Sequence, residues 1–116
     1  MIASTRDRLL LAFSGGPDST GLAVLLRDRN PLLAYVDHRL RGANEARRER
    51  ARVKDVAASL GLDLVRTRVV VAGHSEAAAR RARYDALHAL ARRADCTALA
   101  LAQSMDDRAE TVLFHL

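Results

Sequence analysis

Leu9-Leu10-Leu11-Ala12-Phe13-Ser14-Gly15-Gly16-Pro17-Asp18-Ser19 decides the fold of this chain, because an apolar run of strand type empties there into a Ser-Gly-Gly turn and restarts as a helix. Pro17 has the fixed φ that suits the first turn of a helix, and Gly21-Leu22-Ala23-Val24-Leu25-Leu26 continues it as a helix predicted to be buried. Two glycines let the backbone approach an anion closely, and the unpaired N–H groups at the positive end of the helix point to the same place. The guest this predicts is a polyphosphate. The stretch is not a Walker loop, since no lysine follows the glycines and the only lysine, Lys54, lies in a different segment.

Outward from this unit, strand, loop and helix alternate, which predicts an α/β fold: an open parallel sheet of about four strands with helices on both faces. Pro31 ends the first helix, and Leu32 to Val36 is the second strand. A helix follows from about Ala43 to Leu60, with Asn44 as a candidate cap at its start and Gly61 placed to stop it. Arg47, Arg48, Glu49, Arg50 and Arg52 read as a solvated helix face. Leu64 to Val71 is the third strand, with Arg66 and Arg68 marking an exposed side or a sheet edge. Ser75 caps the next helix, whose predicted buried stripe is Ala79, Ala82, Ala86, Leu90 and Ala94. Thr97 to Ala102 is the fourth strand and Gln103-Ser104-Met105 a turn. The last segment is predicted as a helix with Ala109, Val112, Leu113 and Leu116 on one apolar face.

The 116 residues fit one modest core, built from Leu, Val and Ala because only two Phe and two Tyr are present. A net charge of +5, carried almost wholly by arginine, is compatible with a polyanionic partner and equally with a biased genome composition. Cys96 has no second cysteine, which excludes an internal disulfide or thiolate metal site and points to a reducing, cytoplasmic setting. The Leu9 to Phe13 run is too short for a signal segment, and no stretch is long enough to span a membrane.

In an open parallel sheet, ligands sit beyond the carboxyl ends of the strands. Ser14 to Ser19, Asp37 to Arg41, His74 to Glu76 and Gln103 to Glu110 fall at such ends and are expected to converge. On the predicted last helix, Asp106, Asp107 and Glu110 come onto one side. Acids there serve either as helix caps or as holders of the Mg²⁺ that accompanies ATP, and Asp37 has the same two readings. His38, His74, His88 and His115 show no ligand spacing and read as surface or packing residues.

Ser14-Gly15-Gly16-Pro17-Asp18-Ser19 resembles the SGGxDS signature of the PP-loop ATP pyrophosphatases, which cleave ATP between its α- and β-phosphates. Val36 to Arg41 resembles the VDHxLR stretch of the tRNA(Ile)-lysidine synthases, Ala79 to Tyr84 their ARxxRY helix, and Asp106 to Val112-Leu113 their DDxxETVL helix. The resemblance implies ATP-dependent adenylation at C2 of the wobble cytidine of an isoleucine tRNA, release of pyrophosphate, and displacement of AMP by the ε-amine of free lysine. It implies that Ser14, Gly15, Gly16, Pro17, Asp18 and Ser19 hold ATP. Asp37, Asp107 and Glu110 would serve Mg²⁺, ATP or the lysine amine, with Asp37 and Asp107 as metal ligands, and Arg80 or Arg83 would offset phosphate charge.

Gln103 stands where that family commonly has histidine, and glutamine does not titrate near neutrality, which argues against a proton-shuttling role there. Family members also continue past this region into the remainder of the catalytic domain and tRNA-binding domains. Residues 1–116 are therefore expected to be an N-terminal part, with self-association through an uncovered edge. Another PP-loop enzyme that thiolates tRNA or amidates a metabolite, and a non-catalytic ATP-binding remnant, are the alternative readings.

Overall fold

The structure, a computed structural model, describes residues 8–37, 43–69, 75–105 and 108–116, with only the backbone course at 43, 103–105 and 108–110. Arg8–Ala12 (β1) leads through the Ser-Gly-Gly turn into Pro17–Leu25 (α1), and a 3-10 turn at Arg27–Arg29 precedes Leu32–Asp37 (β2). Then come Ala43–Leu60 (α2), Leu64–Arg68 (β3), Glu76–Arg93 (α3), Cys96–Met105 (β4) and Arg108–His115 (β5). The described residues form one five-stranded sheet in the order β3-β2-β1-β4-β5. β1 pairs in parallel with β2 and β4, β2 in parallel with β3, and β4 antiparallel with β5.

Strand alternation divides the core in two. Leu9, Leu11, Leu33 and Tyr35 point to the side covered by Leu22 and Ala23 of α1 and Val53 and Ala57 of α2. Leu10, Ala12, Ala34, Val36, Leu99 and Leu101 point to the side covered by Leu87, Leu90 and Ala91 of α3. Strands buried on both sides need continuous apolar sequence, which explains the unbroken Leu9 to Phe13 and Leu32 to Val36 runs.

The helix ends follow local chemistry. Gly61 has a φ of 70°, Leu62 N–H donates to Ala57 O at 3.1 Å and Gly61 N–H to Ala58 O at 3.0 Å, which closes α2 in a Schellman turn. Ser75 Oγ accepts from Ala78 N at 3.0 Å and caps α3. Among the described residues, no helix is long and apolar enough to cross a membrane.

Four expectations need correction. Gln103 to Met105 is not a turn but the continuation of β4, and the predicted terminal helix is a strand, β5, whose residues pair from Met105 with Arg108 to Ala98 with His115. Val112 and Phe114 pack onto the α3-side core while Thr111, Leu113 and His115 are exposed. A β-branched and aromatic run with period two thus completes a ladder along the edge of β4, which tertiary pairing favours over the local helical period. Helix α1 is less buried than predicted, with Val24 54% and Leu25 80% exposed, because a nine-residue helix lies on the sheet by one side only. In α3 the buried stripe is Leu87, Leu90 and Ala91, flanked by Ala82, Ala86 and Ala94: the helix turns its larger side chains inward.

Candidate functional site

β1 ends beneath an open cavity of about 320 Å³ that lies over the carboxyl ends of β1, β2 and β4. Strand order reverses here, since β2 and β3 lie on one side of β1 and β4 and β5 on the other; in open α/β sheets such a switch point forms the ligand crevice. Ser14, Gly16, Pro17, Asp18 and Ser19 line it, with Tyr35 and Val36 from β2, Glu49 from α2, Arg83 from α3 and Ala102 from β4.

The loop is held by its own two hydroxyls. Ser14 N–H donates to Ser19 Oγ at 3.1 Å, the two hydroxyl oxygens are 3.1 Å apart, and Gly16 N–H donates to Ser14 Oγ at 3.3 Å. Ser19 is buried, so its main work is to fix the turn, while Ser14 and Asp18 are exposed. Gly16 is the N-cap of α1 and no side chain caps the helix. An anion seated there meets the positive end of the helix without displacing an internal acceptor.

The two glycines do different jobs. Gly15 has a φ of 78°, and a Cβ on it would stand 3.1 Å from Val53 Cγ2, so this glycine permits the turn and the close packing of α2. Gly16 has an ordinary φ of −76° and lines the cavity, where a Cβ would meet Ser14 Oγ at 3.3 Å.

Asp37 ends β2 and is 3% exposed, and its Oδ2 accepts from Arg50 Nη1 at 3.3 Å. Tyr35, two residues earlier on the same strand face, donates its hydroxyl to Glu49. Burial, above all, and then the Glu49 carboxylate and Asp37 push the Tyr35 phenol up to about 12, against an opposing pull from Arg50. Two neighbouring residues of α2 are thereby tied to two positions of β2, and the Glu49 carboxylate becomes part of the cavity wall. Charge-patterning had placed Glu49 and Arg50 on a solvated face. Tyr35 and Asp37 sharing one strand face was readable by period two, but which turn of α2 meets them was not.

Of the two candidate arginines, Arg83 is half-buried in the cavity wall and Arg80 is exposed outside that lining. Glu110 lies in β5 opposite Gln103, at the end of the sheet that carries the cavity. Asp106, Asp107, His38, His74 and residues 39–42 lie outside the described residues. The described acids gather into no group of three or more with His or Cys that could hold a metal. The uncapped helix start and the glycine-lined wall suit a polyphosphate, and Asp37 joins Arg50 through Oδ2.

Comparison with known proteins gives a consistent result. The PP-loop domain family, ATP_bind_3, matches residues 1–116. The chain is 40% identical over 120 residues to a tRNA(Ile)-lysidine synthase of Thermus thermophilus, covering 96% of this chain and 23% of that protein. It is 45% identical over 121 residues to the enzyme of that name from Methylobacterium sp. 4-46, covering 93% and 33%. The chain thus spans about a quarter to a third of the length of these curated relatives. Among solved structures, the U34-tRNA thiolase NcsA of Methanococcus maripaludis, described with its [4Fe-4S] cluster, superposes with a TM-score of 0.69 at 17% identity. That match covers 88% of this chain and 40% of the thiolase and is a likeness of fold.

Proposed function

Because this chain belongs to the PP-loop domain family, we propose that its 116 residues supply the ATP-binding part of a tRNA(Ile)-lysidine synthase. The observation that carries the ATP site is the uncapped start of α1 behind the Ser14 to Ser19 loop, with Arg83 in the opposite wall. Bound ATP would supply the activating group for C2 of the wobble cytidine, with pyrophosphate leaving first and AMP displaced later by the lysine ε-amine. Gly16 and the first turn of α1 would hold the phosphates, and Arg83 would offset negative charge as it develops. Asp18 and Ser14 stand at the mouth to meet the nucleotide. Asp37 would act through Arg50, fixing α2 so that Glu49 keeps its place in the wall.

Asp37, Asp107 and Glu110 are proposed for Mg²⁺, which would enter on the ATP phosphates, or for the lysine amine, with Asp37 and Asp107 as the metal ligands. The isoleucine tRNA and free lysine are the proposed partners, the cytoplasm is the proposed setting, and residues 1–116 are proposed to be an N-terminal part of the whole enzyme. Cys96 is buried and is the one cysteine of residues 1–116, so these residues supply no thiol pair for sulfur transfer. Gln103, in place of the family's histidine, favours as a second reading a domain that holds ATP without turnover.

Calorimetric titration with Mg-ATP tests the site. Binding that is lost in Gly16→Val, which puts a branched side chain where phosphate should approach, is the expected result. Incubation with isoleucine tRNA, ATP and labelled lysine, scored for pyrophosphate and incorporated label, separates the synthase from the remnant. An ATP affinity indifferent to Gly16→Val would overturn the loop assignment.

A further inference from the structure

Building on the tRNA-modifying reading above, we propose that the groove between α2 and β3 docks the phosphate backbone of a structured RNA stem. This second cavity, about 620 Å³ in volume, lies on the α2 side of the sheet and shares Tyr35 with the nucleotide cavity. Its floor is apolar but already covered: Val53 is 0%, Ala57 2% and Leu62 8% exposed. Ala51 and Ala58 are exposed and Leu64 half-buried along its walls, but these are small apolar surfaces that by themselves do not drive docking of a protein segment.

The rim is cationic and comes from two elements. Arg47, Arg50 and Lys54 stand at i, i+3 and i+7 on α2 and line one side, and Arg66 of β3 lines the other. Tyr35 pairs with Arg66 and Asp37 with Arg68, so Arg68 lies on the same sheet face as Arg66. Arg50 is joined to Asp37, whereas Arg47, Lys54, Arg66 and Arg68 are all exposed. The acid in the lining, Asp63, is 3.8 Å from Arg8. A run of arginines on one helix is ordinary solvated surface, but edge strand β3 sets Arg66 across a groove from it, with Arg68 farther along the same sheet face.

The chemistry of the occupant follows from what the groove offers. Cations facing each other across a cleft favour a polyanion that presents charges on both sides. The Tyr35 ring is 6% exposed and is no platform for an unpaired base. A duplex stem, held through phosphates and riboses, meets both conditions. Tyr35 forms the wall between groove and nucleotide cavity, so a stem seated here has its loop free to reach over the strand ends.

The test is fluorescence anisotropy of the full 116-residue chain with a labelled RNA hairpin of arbitrary sequence and a stem of about 16 base pairs. Lys54→Glu with Arg66→Glu is compared with Arg92→Glu with Arg93→Glu, an equal charge change at exposed positions of α3 on the other side of the sheet. Circular dichroism melts check folding, and Lys54→Gln with Arg66→Gln should give a smaller loss in the same direction. Expected is a Kd raised at least about 10-fold by the groove pair and less than about 3-fold by the control, with the salt slope shallower by about 1 to 2 and Mg-ATP affinity unchanged. Equal losses in both pairs, or no loss in the groove pair, would overturn the groove while leaving the ATP site standing. Displacement of the hairpin by charge-matched polyglutamate as effectively as by RNA would overturn the choice of RNA in favour of an acidic protein. Groove-specific RNA loss in a chain that binds no ATP would support the groove and overturn the function proposed above.

Discussion

Arg50 Nη1 stands 3.3 Å from Asp37 Oδ2, joining the middle of α2 to the carboxyl end of β2. Asp37 has a side chain only 5% exposed, while that of Arg50 is 30% exposed, so loss of the arginine leaves a desolvated carboxylate without this guanidinium. Arg50→Ala is expected to cost about 2 kcal/mol, less than a fully buried pair because water reaches the arginine. Adding Asp37→Asn should recover more than half of that loss in urea denaturation. A double variant no more stable than Arg50→Ala would show that the pair is not what matters.

The loop glycines should separate by experiment. Gly15→Ala forces a side chain into a left-handed φ of 78° and against Val53 Cγ2, and is expected to destabilise by about 1 to 3 kcal/mol. Gly16→Ala keeps an ordinary φ of −76° and crowds only the Ser14 hydroxyl, at 3.3 Å, which can give, so it should stay within about 1 kcal/mol. Val53→Ala added to Gly15→Ala relieves the crowding but opens space in the core and leaves the backbone strain, so in thermal melts the double variant should lose less than the sum of the two single losses. Equal costs at both glycines would contradict the division of labour.

Tyr35 sets a pH dependence at the alkaline end. Its phenol ionises near pH 12 in the folded chain and near pH 10 in a solvated one, because burial and Glu49 disfavour the phenolate. The folded pKa is the higher, so this contribution to stability is complete below pH 10 and is lost as pH rises toward 12. Ultraviolet titration of tyrosinate should find this late step absent in Tyr35→Phe and moved to lower pH in Glu49→Gln, which removes the acceptor's charge. A late step unmoved by Glu49→Gln would remove Glu49 as a cause.

Cys96 is buried at the start of β4, and desolvation pushes its thiol up. Only the thiolate reacts, so alkylation should be slow in the native chain and rise on unfolding. Protection should follow the urea transition. Rapid labelling under native conditions would contradict the burial of β4.

The last segment offers a direct test of strand against helix. Phe114 meets Tyr84 with ring centroids 6.1 Å apart and His88 at 5.3 Å, both edge-on, and Val112 packs beside it. Phe114→Ala and Val112→Ala are expected to cost about 1 to 3 kcal/mol, and Leu113→Ser, at a position 51% exposed, less than about 0.5 kcal/mol. On the helical face read from the sequence, Leu113 and Val112 would matter alike. Thermal melts of the three variants decide between the two arrangements.

The sequence by itself determined the strand-turn-helix start, the parallel order of βα units and the placing of polar loops at their carboxyl ends. Those features depend on short-range quantities: an apolar run, a proline at the first turn, glycines where φ turns positive, a serine cap. Gly61 could be read as the stop of α2 because a left-handed residue is needed wherever that helix ends. Only the tertiary structure decided that Arg83 and not Arg80 faces the cavity, since three positions along a helix separate wall from solvent according to how the helix is rotated on the sheet. It alone brought Glu49 to Tyr35 and set Arg66 across a groove from Arg47. It also turned Ala109 to His115 from a helical pattern into β5, because the open edge of β4 offers backbone partners and an apolar surface for Val112 and Phe114 that no local period records.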